Sequence, residues 1–203
     1  MLALSAIAFP TALLSLSACD RAAQPDAAAA PKATFKSLDI TGASYGQKLD
    51  LPDFNGQPRQ LGDFAGKLVV LFFGYTQCPD VCPTTLANLA ETQKLLGADG
   101  DKLMGLFVTL DPERDTAELL KAYVAQFNPD WLALRGNAEQ TSAAAKEFKI
   151  FYRKVPGQTE TSYTLDHTAA SYVFDTHGRL RLYVRHATPP AELAADLKTL
   201  LAQ

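Results

Sequence analysis

Cys78 and Cys82 lie one helical turn apart in Cys78-Pro79-Asp80-Val81-Cys82-Pro83, just after the apolar run Leu68-Val69-Val70-Leu71-Phe72-Phe73. Two thiols at i and i+4, where a strand gives way to a helix, can close a disulfide, grip a soft metal, or do both in turn. A helix opening at residue 81 brings partial positive charge to the pair, which lowers thiol pKa. Pro79 and Pro83 stiffen the loop and fall where helix N–H groups lack partners anyway. Thiolates are both nucleophiles and soft ligands, so the dithiol alone does not choose between redox and metal chemistry. Two soft donors suit Cu(I), and a third donor from another loop would improve affinity and selectivity. His167, His177 and His186 are the available imidazoles.

The elements that position these residues follow from periodicity. Residues 68–73 fit a strand buried on both faces, with Phe72 and Phe73 as core. A helix from about residue 81 carries Leu86, Leu89, Ala90 and Leu96 on one side and stops at Gly97. Leu103–Leu110 is a second buried strand. Asp115 opens a helix whose buried face is Leu119, Leu120, Tyr123, Val124 and Phe127, and Asn137 caps another that runs to about Phe148. Strands follow at Lys149–Val155, Ala170–Phe174 and Leu180–Val184. The last two are joined by the turn Asp175-Thr176-His177-Gly178. In the last strand Arg179, Arg181, Tyr183 and Arg185 alternate with apolar residues, which predicts a wet face. Thr188 caps a final helix with Pro189 at its first position and Leu193, Leu197 and Leu200 inward. Upstream, Asp50–Gln57 predicts a hairpin with an Asn-Gly turn.

This order, with a dithiol at the end of the first buried strand, resembles a thioredoxin-like α/β fold, with an N-terminal hairpin extension and a C-terminal antiparallel hairpin plus helix. In such folds the loop entering the strand at 170 packs against the dithiol loop, and thioredoxins present a cis-proline there. This chain has no proline between Pro156 and Pro189 and places His167 at that point. His167 is therefore the expected third ligand beside Cys78 and Cys82. Neighbouring Asp166 is the candidate to orient its ring. His177 is expected as a solvated turn residue and His186 as the end of an edge strand. The charges of Asp111-Pro112-Glu113-Arg114-Asp115 read as a solvated loop and a helix cap, with partner docking as the sharper alternative.

With 203 residues and 47% hydrophobic content, the chain is long enough for one domain with a real core. A net charge of -3 and the absence of a basic run interleaved with aromatics argue against nucleic acid as a partner. Residues 1–18 carry no charged side chain and fit the apolar part of a secretion signal. Leu16-Ser17-Ala18-Cys19 resembles a bacterial lipobox, in which the cysteine is lipidated and becomes the first residue of the mature protein. The expected organisation is a signal over 1–18, a flexible Ala- and Pro-rich tether over 19–44 and a globular domain over 45–203. An exported chain meets an environment in which disulfides persist, and Cys78 and Cys82 are then the cysteines of its folded domain.

Three blocks resemble the SCO/SenC family: Gly74-Tyr75-Thr76-Gln77-Cys78-Pro79-Asp80-Val81-Cys82-Pro83-Thr84-Thr85, then Thr109-Leu110-Asp111-Pro112-Glu113-Arg114-Asp115-Thr116, then Asp166-His167-Thr168. The resemblance spans about residues 45–200. It implies a copper-binding protein on the outer side of an energy-transducing membrane, here the periplasmic face. The implied copper ligands are Cys78, Cys82 and His167, and the implied role is assembly of the CuA centre of cytochrome c oxidase. Gln77 departs from the family pattern, since many relatives have His there. Two functions remain open at this level. One is a metallochaperone delivering copper to an oxidase subunit or a similar copper protein. The other is a thiol–disulfide reductase in which Cys78 attacks and Cys82 resolves. Peroxidase chemistry finds no support in the motif.

Overall fold

The computed structural model describes residues 34–159 and 162–203. Its strands are β1 (Leu38–Asp39), β2 (Asp50–Pro52), β3 (Pro58–Gln60), β4 (Leu68–Gly74), β5 (Leu103–Thr109), β6 (Leu132–Leu134), β7 (Tyr152–Pro156), β8 (Tyr163–His167), β9 (Ala170–Phe174) and β10 (Leu180–Arg185). Its α-helices are α1 (Val81–Leu95), α2 (Ala117–Ala125), α3 (Ala138–Glu147) and α4 (Pro190–Leu201). Six strands form one sheet in the order β1-β10-β9-β4-β5-β6. β4, β5 and β6 run parallel, and β9 and β10 add antiparallel. Every residue of β4 is buried, as its unbroken apolar run requires of a central strand covered on both faces. Successive side chains alternate faces: Phe73 packs against Phe148 at the end of α3, whereas Phe72 packs against Phe107 on β5.

Several expectations hold in detail. Asn137 caps α3 reciprocally with Gln140. Gly97 follows α1 with a φ of 64° and Gly178 closes the β9–β10 turn with a φ of 73°. β2 and β3 form the N-terminal hairpin, with Asp53 accepting from the Asn55 and Gln57 amides at its turn.

Other expectations are corrected. Residues 163–167 form β8, which pairs with β7 in a separate two-stranded sheet, so His167 ends a strand rather than sitting in a loop. Lys149 takes the left-handed conformation that ends a helix (φ 53°), so its strand begins only at Tyr152. Thr116, not Asp115, caps α2, and Leu119 is exposed. α4 begins one residue late: the proline at 190 holds Pro189 in extended backbone, which makes Pro189 the cap residue in place of Thr188. The supposed wet face of β10 is partly closed, because Arg181 is buried against Asp175. β10 is not an edge either, since β1 covers it. Residues 36–39, placed within the tether by composition, are part of this fold: β1 joins the sheet, and the Lys36 and Ser37 amides donate to the buried Asp196 carboxylate of α4.

Candidate metal centre

β4 ends at Gly74, and the chain turns through Tyr75–Asp80 into α1. Cys82 lies in the first turn of α1 and is fully buried, whereas Cys78, in the loop, is half-buried. Gly74 is required here, because a Cβ at that position would meet the Cys82 Sγ at 2.7 Å and Phe107 at 2.9 Å. Both thiols are free. The Cys82 amide donates to the Cys78 Sγ at 3.4 Å, so the start of the helix is aimed at this sulfur.

The two thiols titrate far apart. The Cys82 thiol donates to Cys78, and together with His167 and the amides of Cys82 and Asp80 it holds Cys78 down at about 3, against burial. The same hydrogen bond and its own burial push Cys82 well up. Cys78 is thus the thiolate and Cys82 the proton carrier of the metal-free pair.

His167 completes the cluster. Its Nε2 lies 3.5 Å from the Cys82 Sγ, and its Nδ1 is 3.0 Å from the Thr168 carbonyl. A carbonyl only accepts, so Nδ1 carries a proton, and Nε2 is the nitrogen turned toward the thiols. Phe72 and Tyr75 hold the ring edge-on, with centroids at 6.1 and 6.0 Å, so Phe72 is more than core filling. The donor atoms of Cys78, Cys82 and His167 lie within 4.8 Å of one another. Metal bonds of about 2.0–2.3 Å put the donors of a trigonal set roughly 4 Å apart, so this trio needs sub-ångström adjustment to hold one ion. Two thiolates and an imidazole fit a soft metal better than a hard one. Cys78 and His167 open onto a cleft of about 300 Å³ lined by Pro79, Val81 and Ala169 among others, and Cys82 is buried.

The other candidates separate from this cluster. Asp166 pairs with Arg153 on β7 at 2.9 Å, and the Thr168 carbonyl is the hydrogen-bond partner of His167 Nδ1. His177 is exposed in its turn, and His186 is exposed with its Nδ1 3.4 Å from the Thr85 hydroxyl. Cys19 and the lipobox lie outside the described residues.

The segment 111–115 is a correction to the expected solvated loop. Asp115 is fully buried and accepts from the Thr76 amide at 3.1 Å, the Thr76 hydroxyl and the Thr109 hydroxyl. Burial pushes its carboxyl up, while the hydrogen bonds from Thr109 and Thr76 act to keep it ionised. The carboxylate thereby ties the dithiol loop, two residues before Cys78, to the end of β5. The available signal was register: Gly74 and Thr109 pair at the ends of parallel β4 and β5, so the loops after both strands start side by side.

A thioredoxin-like domain whose dithiol faces an imidazole is, by its donors, a protein with a soft-metal site. Residues 39–202 match the SCO1/SenC family. The chain belongs to that family. An SCO2-like protein of Rickettsia felis is 34% identical over 154 residues, 75% of either chain. ScoI of Bradyrhizobium japonicum, solved with copper bound, is 37% identical with a TM-score of 0.70, over 77% of this chain and 99% of that one. Yeast Sco1 with copper bound is 26% identical with a TM-score of 0.71, over 79% and 90%.

Proposed function

We propose that this protein is a copper metallochaperone that holds copper as cargo on Cys78, Cys82 and His167 and delivers it to the CuA centre of cytochrome c oxidase. The observation that carries this reading is the convergence of two soft sulfurs and one imidazole nitrogen, with Cys78 and His167 facing an open cleft. Copper-bound relatives of the same fold support the choice of metal. Transfer proceeds by ligand exchange, with a recipient thiolate displacing one donor at a time. The lipobox-like segment ending at Cys19 supports tethering by a lipid anchor at the periplasmic face. No described helix is long and apolar enough to cross a membrane.

A second reading is favoured by the asymmetry of the thiols. Cys78 is accessible and thiolate, the form that attacks; Cys82 is buried and protonated, the form that waits. In that reading Cys78 attacks a disulfide of the recipient and one recipient thiolate leaves. Cys82 then loses its proton and displaces the second, leaving the recipient reduced and Cys78–Cys82 oxidised. The two roles are compatible, since copper loads only on the reduced pair.

Titration of the reduced protein with Cu(I), repeated with Cys78→Ser and His167→Ala beside a disulfide-reduction assay, tests the first reading. Binding of one ion, weakened in both variants, is expected. Unchanged copper affinity with lost reductase activity in His167→Ala would leave only the second reading.

A further inference from the structure

The two halves of the site come from elements that share no sheet. Cys78 and Cys82 belong to the turn after β4, while His167 belongs to β8, in the separate hairpin with β7. Thr168 and Ala169 join β8 to β9, which fixes only the foot of that hairpin. The chain between β5 and α2 reaches both halves. On the hairpin side, the Asp111 carboxylate accepts from the Tyr163 hydroxyl at 2.7 Å, and Glu113 pairs with Lys154 at 2.6 Å.

Arg114 goes further, because one guanidinium touches both halves. Its Nε donates to Asp111. Its Nη1 donates to the Gln77 side-chain oxygen at 3.1 Å and to the Tyr163 carbonyl at 2.9 Å. Its plane lies over the Tyr163 ring, with Cζ 3.5 Å from the centroid. Gln77 immediately precedes Cys78, and Tyr163 opens the strand that ends at His167.

We propose that Arg114 is a positioning residue that sets the distance between His167 and the two thiols, with Gln77 as its partner on the dithiol loop. The proposal rests on the copper-site reading above. It also gives a role to the residue that departs from the family pattern: the Gln77 side chain carries no imidazole to offer a metal, but its amide oxygen completes a latch. Only a planar, multi-donor cation can hold two acceptors in different directions while stacking on an aromatic ring, so lysine is not a substitute.

The test measures Cu(I) affinity by competition for the reduced full chain, its Arg114→Lys, Gln77→Ala and His167→Ala variants, and the Arg114→Lys/His167→Ala double variant. Loss of an orienting partner typically costs about 10–100-fold in metal affinity. Arg114→Lys should fall in that range and Gln77→Ala near its lower end. In the His167→Ala background, Arg114→Lys should have no further effect, because the distance it sets no longer matters. An equal loss in both backgrounds overturns the proposal, as does no loss in the single variant. A metal-independent readout separates failure of the latch from failure of the copper reading. In the metal-free protein, the NMR contact between the His167 ring and the Cys82 β-protons should weaken in Arg114→Lys. If that contact is unchanged, the latch is wrong whatever the protein binds. If it weakens while the wild type binds no copper, the latch stands and the cargo is wrong.

Discussion

Cys78 and Cys82 follow a seven-residue strand buried along its whole length, whereas His167 ends a five-residue strand in which only Leu165 is buried. β4 is hydrogen-bonded on both sides, by β5 and β9; among the described strands β8 pairs with β7 alone, and no residue of β7 is fully buried. Elements rich in buried apolar contacts open only with the whole domain, and those with few open locally at lower cost. The site thus joins two sulfurs fixed to the core with one nitrogen on a peripheral arm. In the copper carrier proposed above, this arrangement would let the nitrogen leave first while the sulfurs stay in place.

The comparison is broken most severely at the deep half. Cys82→Ser removes a proposed ligand from the fixed frame and should weaken Cu(I) binding by more than about 100-fold, beyond the range for partners that merely orient a ligand. His167→Ala should cost less. Competition titrations against a chelator of known affinity rank the two. The reverse order would mean that the hairpin, not the core, anchors the ion.

Stability should divide along the same line. Asp115→Ala strands the Thr76 amide and the hydroxyls of Thr76 and Thr109 in a buried place. An unsatisfied buried donor costs about 1–3 kcal/mol, and hydroxyls that rotate to other acceptors recover part of it, so a total of roughly 2–4 kcal/mol is expected. Urea unfolding of the metal-free protein measures it. A cost below 1 kcal/mol would mean that the dithiol loop is held by its own turn and not by this carboxylate.

The proton on Cys82 makes a third test. Cys78 is held near 3 by the Cys82 thiol and by His167, so it is a thiolate at neutral pH, while Cys82 is raised and protonated. A metal that binds both sulfurs must therefore expel one proton, and its affinity must rise with pH. The expected slope is about one decade per pH unit, or ~1.4 kcal/mol, through neutrality. Calorimetry in buffers of different ionisation enthalpy counts the proton directly. A slope near two would mean that both thiols carry protons, and a flat profile would remove Cys82 from the ligand set.

How much of this was legible in the sequence depends on whether a residue's partner is near it in the chain. β4 and β5 were readable because strands covered on both faces are continuously apolar. The donor trio was readable because only certain side chains bind soft metals, and His167 replaces a proline at a known structural position. β8 was not read as a strand, because its pairing with β7 rather than core burial defines it and its apolar signal is weak. Asp111 and Asp115 read as solvated in the sequence because charges in a loop ordinarily are. What buries Asp115 is Thr76, 39 positions away, and what engages Asp111 is Tyr163, 52 positions away. Arg181 shows the same effect at shorter range: its strand alternation predicts solvent, but Asp175, six residues back across the turn, accepts from it at 3.0 Å.

The smallest expected effect lies on the arm itself. Arg153 and Asp166 face each other across the β7–β8 pair at 2.9 Å, with more than half of each side chain exposed. Cross-strand ion pairs of this kind contribute about 0–1 kcal/mol, because water screens them and two mobile side chains must be ordered. Arg153→Ala should therefore change the urea midpoint little and leave the copper affinity within about threefold, a difference of less than ~0.7 kcal/mol. Asp166 adjoins His167, so this small effect is informative. Neighbouring side chains on a strand alternate faces, and the Asp166 carboxylate has Arg153 as its hydrogen-bond partner, while the ring has the Thr168 carbonyl. A tenfold loss of copper affinity in Arg153→Ala would mean that the pair braces the arm after all. The orientation of His167 would then depend on the whole hairpin and not only on Phe72, Tyr75, the Thr168 carbonyl and the proposed Arg114 latch.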